Sequence, residues 1–149
     1  MFNNILANKE DFPDTPFVFL GGTCNGSTWR DSLIKLLKVK YFNPVVENWN
    51  EDAIKIEEIV KNNASALLYV ITPKQTGFYG LVEAVISTFT YFPHQFTMLA
   101  FITEEDGLIF DEGQLKSISA VKKLLSENTD IIIMDNLKDI AKYLNNKLT

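Results

Sequence analysis

Hydrophobic positions along the chain fall into two alternating rhythms, and the alternation predicts the fold. Unbroken apolar runs at 16–20 (PFVFL), 66–72 (ALLYVIT), 96–103 (FTMLAFIT) and 130–134 (DIIIM) have the length and residue types of strands covered on both faces. A further β-rich run at 41–46 (YFNPVV) carries Pro44, which has no N–H for a sheet ladder and demotes the run to an edge strand or strand end. Between these runs the apolar residues recur at helical spacing. Trp29, Leu33, Leu36 and Leu37 mark a helix over 27–39, and Ile54, Ile56, Ile59 and Val60 mark one over 51–63, capped by Asn50. Helices follow over 79–90, over 114–128 with Leu115, Ile118, Val121, Leu124 and Leu125, and over 137–148.

Strand and helix thus succeed each other repeatedly with short connections. Right-handed crossovers turn such a succession into a parallel sheet with helices on both faces. The expected fold is a flavodoxin-like (Rossmann-like) α/β three-layer sandwich around a five-stranded parallel sheet. It is expected to be one domain over residues 1–149, with residues 1–15 as a polar N-terminal arm.

Composition then removes several chemistries. The single cysteine, Cys24, and the single histidine, His94, exclude a disulfide framework and a structural zinc site within one chain; no metal or cofactor is expected. A Ser-His-Asp or Cys-His relay would have to use His94, which lies in the proline-containing aromatic turn YFPHQF. Net charge is −5, and the one basic grouping is Lys35, Lys38 and Lys40, so duplex nucleic acid is not an expected partner. No apolar run reaches the length of a bilayer span, and the first residues lack a basic-then-apolar leader. The expectation is a cytoplasmic protein, not bound to membrane, that handles a small molecule.

One carboxylate stands out of place. Glu83 is flanked by Leu81, Val82, Ala84, Val85 and Ile86, in the first turns of a helix that follows a buried strand and the turn 73–77. That position is the carboxyl edge of the sheet, where open α/β folds bind ligands. A buried carboxylate is costly unless paired or put to use. The alternative is a helix-start acid favoured by the macrodipole, with its head group in water.

The neighbouring loops add candidates. After the first strand, GGTCNGSTWRD offers Gly21 and Gly22, whose backbone N–H groups can approach a ligand, and the hydroxyls of Thr23, Ser27 and Thr28. It is neither a P-loop nor a G-x-G-x-x-G fingerprint, since the glycines fall at 21, 22 and 26. Arg30 either caps a ligand or pairs with Asp31 or another neighbour on a solvated face; the ligand role is preferred because Trp29 and Arg30 directly follow the loop. In ENWNED, Asn48 is polar, and Trp49 either stacks on a planar ring or plugs the edge of the core. Glu57 and Glu58 both lie one turn beyond Ile54; either one points toward the sheet edge, and spacing alone does not say which, or both are solvated acids beside the apolar stripe. Two glutamates from different elements at one pocket suit glycosidic-bond chemistry: one attacks or stabilises the anomeric carbon, and the other orients the sugar or moves a proton. The crowded aromatics Phe89, Tyr91, Phe92 and Phe96 point to a subunit interface; the alternative is that Phe89 and Phe96 belong to the core, leaving only Tyr91 and Phe92 to explain.

The segments FVFLGGTCNGSTWRD, FNPVVENWNED, ALLYVI and above all TGFYGLVEAVIS resemble the nucleoside 2-deoxyribosyltransferase-like family, related to the 2'-deoxynucleotide N-glycoside hydrolases. The resemblance runs over most of the chain. It implies that Glu83 attacks the deoxyribose anomeric carbon and that Glu57 helps to hold the sugar. It also implies that Gly21, Gly22, Thr23, Trp29 and Arg30 contact base or sugar. Asn48, Trp49, Gly77, Tyr79 and Gly80 complete the expected substrate site. A homodimer or higher homo-oligomer, with a neighbour closing the site, is implied as well. The chain departs from the family pattern at Ser65, where many members carry an aspartate, and in ITPKQTGFYG, which has no acid before the nucleophile. The resulting expectation is cleavage or transfer of the N-glycosidic bond of a 2'-deoxynucleoside or its 5'-monophosphate. The alternative is a catalytically inactive module that binds or sequesters a nucleotide-derived small molecule.

Overall fold

The computed structural model describes residues 15–90 and 92–149. The expected arm, apart from Thr15, and Tyr91 of the aromatic segment lie outside the described residues. In chain order the elements are β1 (Phe17–Gly22), α1 (Trp29–Ile34), β2 (Lys40–Phe42), α2 (Glu51–Asn63), β3 (Ala66–Ile71) and α3 (Tyr79–Phe89). They continue with β4 (Phe96–Phe101), β5 (Glu104–Glu105), β6 (Leu108–Ile109), α4 (Glu112–Asn128), β7 (Ile132–Met134) and α5 (Leu137–Lys147).

Five of the strands form one sheet in the order β2-β1-β3-β4-β7, and every pairing in it is parallel. This is the flavodoxin-like order expected from the sequence. Side chains of the central strands alternate between two buried faces, as the strand period requires. Phe17, Phe19, Leu67, Tyr69, Ile71 and Leu99 pack on one face, with Val60 of α2, Ala84 of α3 and Leu125 of α4. Val18, Leu20, Leu68, Val70 and Met98 pack on the other, with Trp29 and Leu33 of α1 and Ile140 and Leu144 of α5. Burial on both sides is why these strands read as continuous apolar runs.

Local chemistry sets most boundaries. The Asn50 side chain accepts the Ala53 N–H at 3.0 Å and starts α2 where the sequence places its cap. β2 is an edge strand and stops at Phe42, ahead of Pro44. Helix α1 is shorter than its apolar spacing predicts, ending at Ile34 instead of reaching residue 39. The physical reason is a tertiary cap: Asn145 of α5 donates to the Leu36 carbonyl at 2.9 Å and accepts the Lys38 N–H at 2.7 Å, taking backbone groups a longer helix would have used. The β5–β6 hairpin is an addition that the apolar pattern does not reveal. Its two-residue turn, Asp106-Gly107, has both φ angles positive, at 52° and 80°, the conformation an Asp-Gly pair adopts in a tight hairpin.

No helix among the described residues is long and apolar enough to cross a membrane.

Candidate active site

The carboxyl ends of β1 and β3, the start of α3 and one side of α2 enclose a cavity of about 480 Å³. That volume lies within the range of small-molecule sites. Of the expected residues, Gly21, Gly22, Thr23, Arg30, Trp49, Glu57, Gly77, Tyr79, Gly80 and Glu83 line it. Trp29 and Asn48 do not. Cys24, Asn25, Val45, Val46, Gln75 and Thr76 also contribute to the wall, although nothing in their spacing singles them out.

Glu83 enters from the second turn of α3, and Glu57 from the middle of α2. Of the two adjacent glutamates on α2, Glu57 is the one that turns inward, and Glu58 is exposed. The Glu83 carboxylate does not stand alone: Lys61 Nζ donates to its Oε2, and both side chains are mostly buried. Lys61 lies one helical turn beyond Glu57, so the two side chains share a face of α2. Its ammonium also sits over the Phe19 ring, 5.2 Å from the centroid. Burial pushes the Glu57 carboxyl above its ordinary range, and the nearby Glu83 charge pushes the same way. Lys61, a hydrogen bond from Trp49 and the charge of Arg30 oppose this only in part. The site therefore pairs an ammonium-bound carboxylate with one that burial biases toward holding its proton.

Trp49 is no plug of the core. It is about half exposed (53%), its indole N–H donates to Glu57 Oε1 at 3.3 Å, and its ring meets Tyr79 edge-on at 5.4 Å. Behind the site, Tyr69 is fully buried with its hydroxyl 2.8 Å from Ser87 Oγ, and burial holds the phenol far above its ordinary range.

Arg30 is buried, and its guanidinium is already occupied. Nε donates to the Leu20 carbonyl at 2.9 Å, one terminal nitrogen to Thr23 O at 2.7 Å, and the other to Gly22 O at 3.3 Å. Trp29 is likewise buried and gives its indole N–H to Thr23 O at 2.9 Å. Both side chains thus hold the backbone of the glycine loop from behind, whatever else Arg30 meets at the cavity wall. Thr23 is buried too: its hydroxyl accepts the Thr72 N–H at 3.0 Å and donates to Gln75 Oε1 at 3.2 Å. Gly22 is required by the fold itself. Its φ is +110°, and a Cβ there would lie 2.1 Å from the Val70 carbonyl oxygen.

A third carboxylate, outside the cavity, supports this loop. Glu105, on the β5–β6 hairpin, accepts the Ser27 hydroxyl at 2.7 Å, the Thr28 N–H at 3.0 Å and the Thr72 hydroxyl at 2.7 Å. Partial burial raises its carboxyl, but these hydrogen bonds outweigh burial and leave it below the ordinary range. Lys74 adds a link from Asp106 at 2.5 Å to the Gly26 carbonyl at 3.2 Å. The Asp-Gly turn at 106–107 was the available signal for this hairpin; contact with Ser27, far away in the chain, left none.

Ser65 joins the ends of three strands at the opposite edge of the sheet. Its N–H donates to Phe17 O at 2.9 Å, and its carbonyl accepts the Phe96 N–H at 3.3 Å. It does not line the cavity. Among the aromatic residues expected at an interface, Phe96 packs edge-on against Tyr143 at 5.9 Å, Phe92 is half-buried, and Phe89 is 67% exposed.

A family model described as nucleoside 2-deoxyribosyltransferase like matches residues 15–90, just over half of the chain. The matched stretch holds every expected site residue and Lys61, and stops before the hairpin that carries Glu105. No curated protein matches the chain.

Proposed function

The chain belongs to the nucleoside 2-deoxyribosyltransferase-like family, and from that premise we propose that it cleaves or transfers the N-glycosidic bond of a 2'-deoxynucleoside or its 5'-monophosphate. Glu83 attacks the anomeric carbon while the bond to the base nitrogen breaks. The bonding electron pair leaves with the base, and Glu57 supplies the proton that neutralises it. The deoxyribosyl ester on Glu83 then passes to a second base, or to water, and the carboxylate is regenerated. Trp49 and Tyr79, both more than half exposed, offer ring faces to a base. Arg30, Trp29 and Glu105 keep the glycine loop in place.

The observation that supports this reading is the pairing in one cavity of Glu83, bonded by the Lys61 ammonium, with Glu57, which burial biases toward holding its proton. A carboxyl that burial biases toward its protonated form is suited to the acid role beside a nucleophile. The test is a chromatographic assay of deoxynucleosides and their monophosphates, with and without acceptor bases. Turnover by the wild type and a loss of about a thousandfold or more in Glu83→Ala is the expected result. No turnover of any substrate, with the two proteins indistinguishable, would sink it.

A second reading rests on Lys61. An ammonium bound directly to Glu83 offsets the charge a nucleophile needs, which suits a module that binds a nucleotide-derived molecule without turning it over. Calorimetry separates the two. In a binder, Glu83→Gln alters affinity modestly and the wild type shows no turnover; in the enzyme, the same change abolishes activity while binding stays measurable.

A further inference from the structure

Glu57, Lys61 and Glu83 form an acid–cation–acid row across the α2–α3 contact. Lys61 bonds Glu83 Oε2 directly and stands one turn from Glu57 on the same helix face. All three line a groove of about 370 Å³ between α2 and α3, and the groove shares Glu57, Tyr79 and Glu83 with the main cavity as a common wall. Lys61 is held in this place from several sides. Its side chain is only 17% exposed, its ammonium lies over Phe19, and its backbone carbonyl accepts the Gln95 amide at 2.6 Å.

We propose that Lys61 is a positioning residue that transfers its ion pairing from Glu83 to Glu57 when Glu83 becomes esterified. This deepens the glycosyl-transfer reading and rests on it. The physical argument follows the charges. In the free protein Lys61 is largely neutralised by Glu83, and Glu83 in turn disfavours a second anion at Glu57. Attack on the anomeric carbon turns the Glu83 carboxylate into a neutral ester. Lys61 then has a mostly buried ammonium without its partner, and Glu57 is the anion within its reach. Glu57 has just given its proton to the departing base, and the freed ammonium stabilises the carboxylate this leaves. In the second half-reaction Glu57 takes a proton from water, or from the N–H of an acceptor base, as that oxygen or nitrogen bonds the anomeric carbon. The ester C–O bond breaks, its electron pair returns to Glu83, and Lys61 pairs with Glu83 again. Atoms and charge balance over the cycle. Before the attack Glu83 offsets the Lys61 charge that Glu57 meets, and after it the same cation favours ionised Glu57 unopposed.

The groups that face Glu57 are Lys61 on α2, the Trp49 N–H, Arg30 from α1, Glu83 and Tyr79 on α3, and Tyr69 on β3. Of these, only Glu83 changes charge in the first chemical step.

Glu83→Gln is a neutral isostere of the esterified state, so the handover is measurable without turnover. The experiment titrates the Glu57 carboxyl by NMR in full-length protein labelled at the glutamate side-chain carboxyl carbon. Four proteins form a cycle: wild type, Lys61→Met, Glu83→Gln and the double variant. Removing Lys61 is expected to raise the Glu57 midpoint much more in the Glu83→Gln background than in the wild type. Equal effects in both backgrounds would overturn the proposal. Should Lys61→Met fail to fold, Lys61→Gln replaces it in the cycle, and Lys61→Arg, which keeps the charge, should restore the low midpoint in the Glu83→Gln background. In rapid-mixing kinetics, Lys61→Met should slow breakdown of the deoxyribosyl-enzyme by roughly tenfold or more relative to its formation and shift the pH limb of that step. Equal slowing of both steps with an unmoved pH profile would also overturn it. A wild type without turnover defeats the glycosyl-transfer reading, and the titration cycle still decides the handover.

Discussion

Replacing Arg30 by lysine separates a ligand contact from a support of the glycine loop. The guanidinium spans three backbone carbonyls, at 2.9 Å to Leu20, 2.7 Å to Thr23 and 3.3 Å to Gly22. An ammonium is a point donor on a flexible stem and cannot reproduce this fork. It can keep one of the shorter bonds and loses the other, while the long contact to Gly22 counts for little. A hydrogen bond from a charged donor is worth about 1.5–3 kcal/mol net, and a carbonyl left buried without a donor adds to the loss. The substituted lysine would also carry a strongly hydrated charge into a buried place, so Arg30→Lys should cost about 2–4 kcal/mol. For a chain of this size that corresponds to a fall in Tm of roughly 5–15 °C. Circular dichroism melts read the stability, and calorimetry with a deoxynucleoside reads the site. The loop-support account expects a large fall in Tm, with binding lost in proportion to the disordered loop. A Tm within about 2 °C of wild type, together with a tenfold loss of affinity, would refute it and make Arg30 a direct ligand contact.

Three further outcomes follow from charge and exposure. Glu57 is raised by burial in the folded state, so its cost is absent below the ordinary glutamate value of 4.5 and grows as pH rises through the folded value. Glu57→Gln should therefore melt higher than wild type at pH 8, with the gain vanishing near pH 4.5; a variant equally or less stable at pH 8 contradicts this. Glu105 behaves in the opposite sense: its hydrogen bonds lower it, so its stabilisation is present above 4.5 and is lost as pH falls through the folded value. Melting curves should show wild type and Glu105→Gln converging as pH drops below 4.5, and a constant gap would count against the loop anchor. The exposed stripe of Phe78, Val82, Ile86 and Phe89, at 80%, 51%, 59% and 67%, follows one face of α3 and extends the expected aromatic interface toward the active site. Light scattering should report a homodimer or larger assembly that the double change Ile86→Ser, Phe89→Ser dissociates; a wild-type monomer at high micromolar concentration would refute the assembly.

The succession of apolar runs was enough to specify the sheet, because strands buried on both faces must be apolar throughout and their connecting helices must show one apolar stripe. Sequence also marked Glu83, since an acid inside an apolar helical stretch is conspicuous without any tertiary knowledge, and Asn50, whose cap acts on residues three positions away. Its reach ended where partners are distant in the chain. Glu57 and Glu58 have equivalent spacing, and only the seating of α2 on the sheet beside α3 turned Glu57 inward and brought Lys61 onto Glu83, 22 positions later. Arg30 read more readily as a ligand clamp than as a surface charge, until the path of β1 and its loop brought three carbonyls to its guanidinium. The anchoring of Ser27 by Glu105 spans 78 positions. Local pattern records which face a residue takes on its own element; the three-dimensional path of the chain alone decides which charge it meets there.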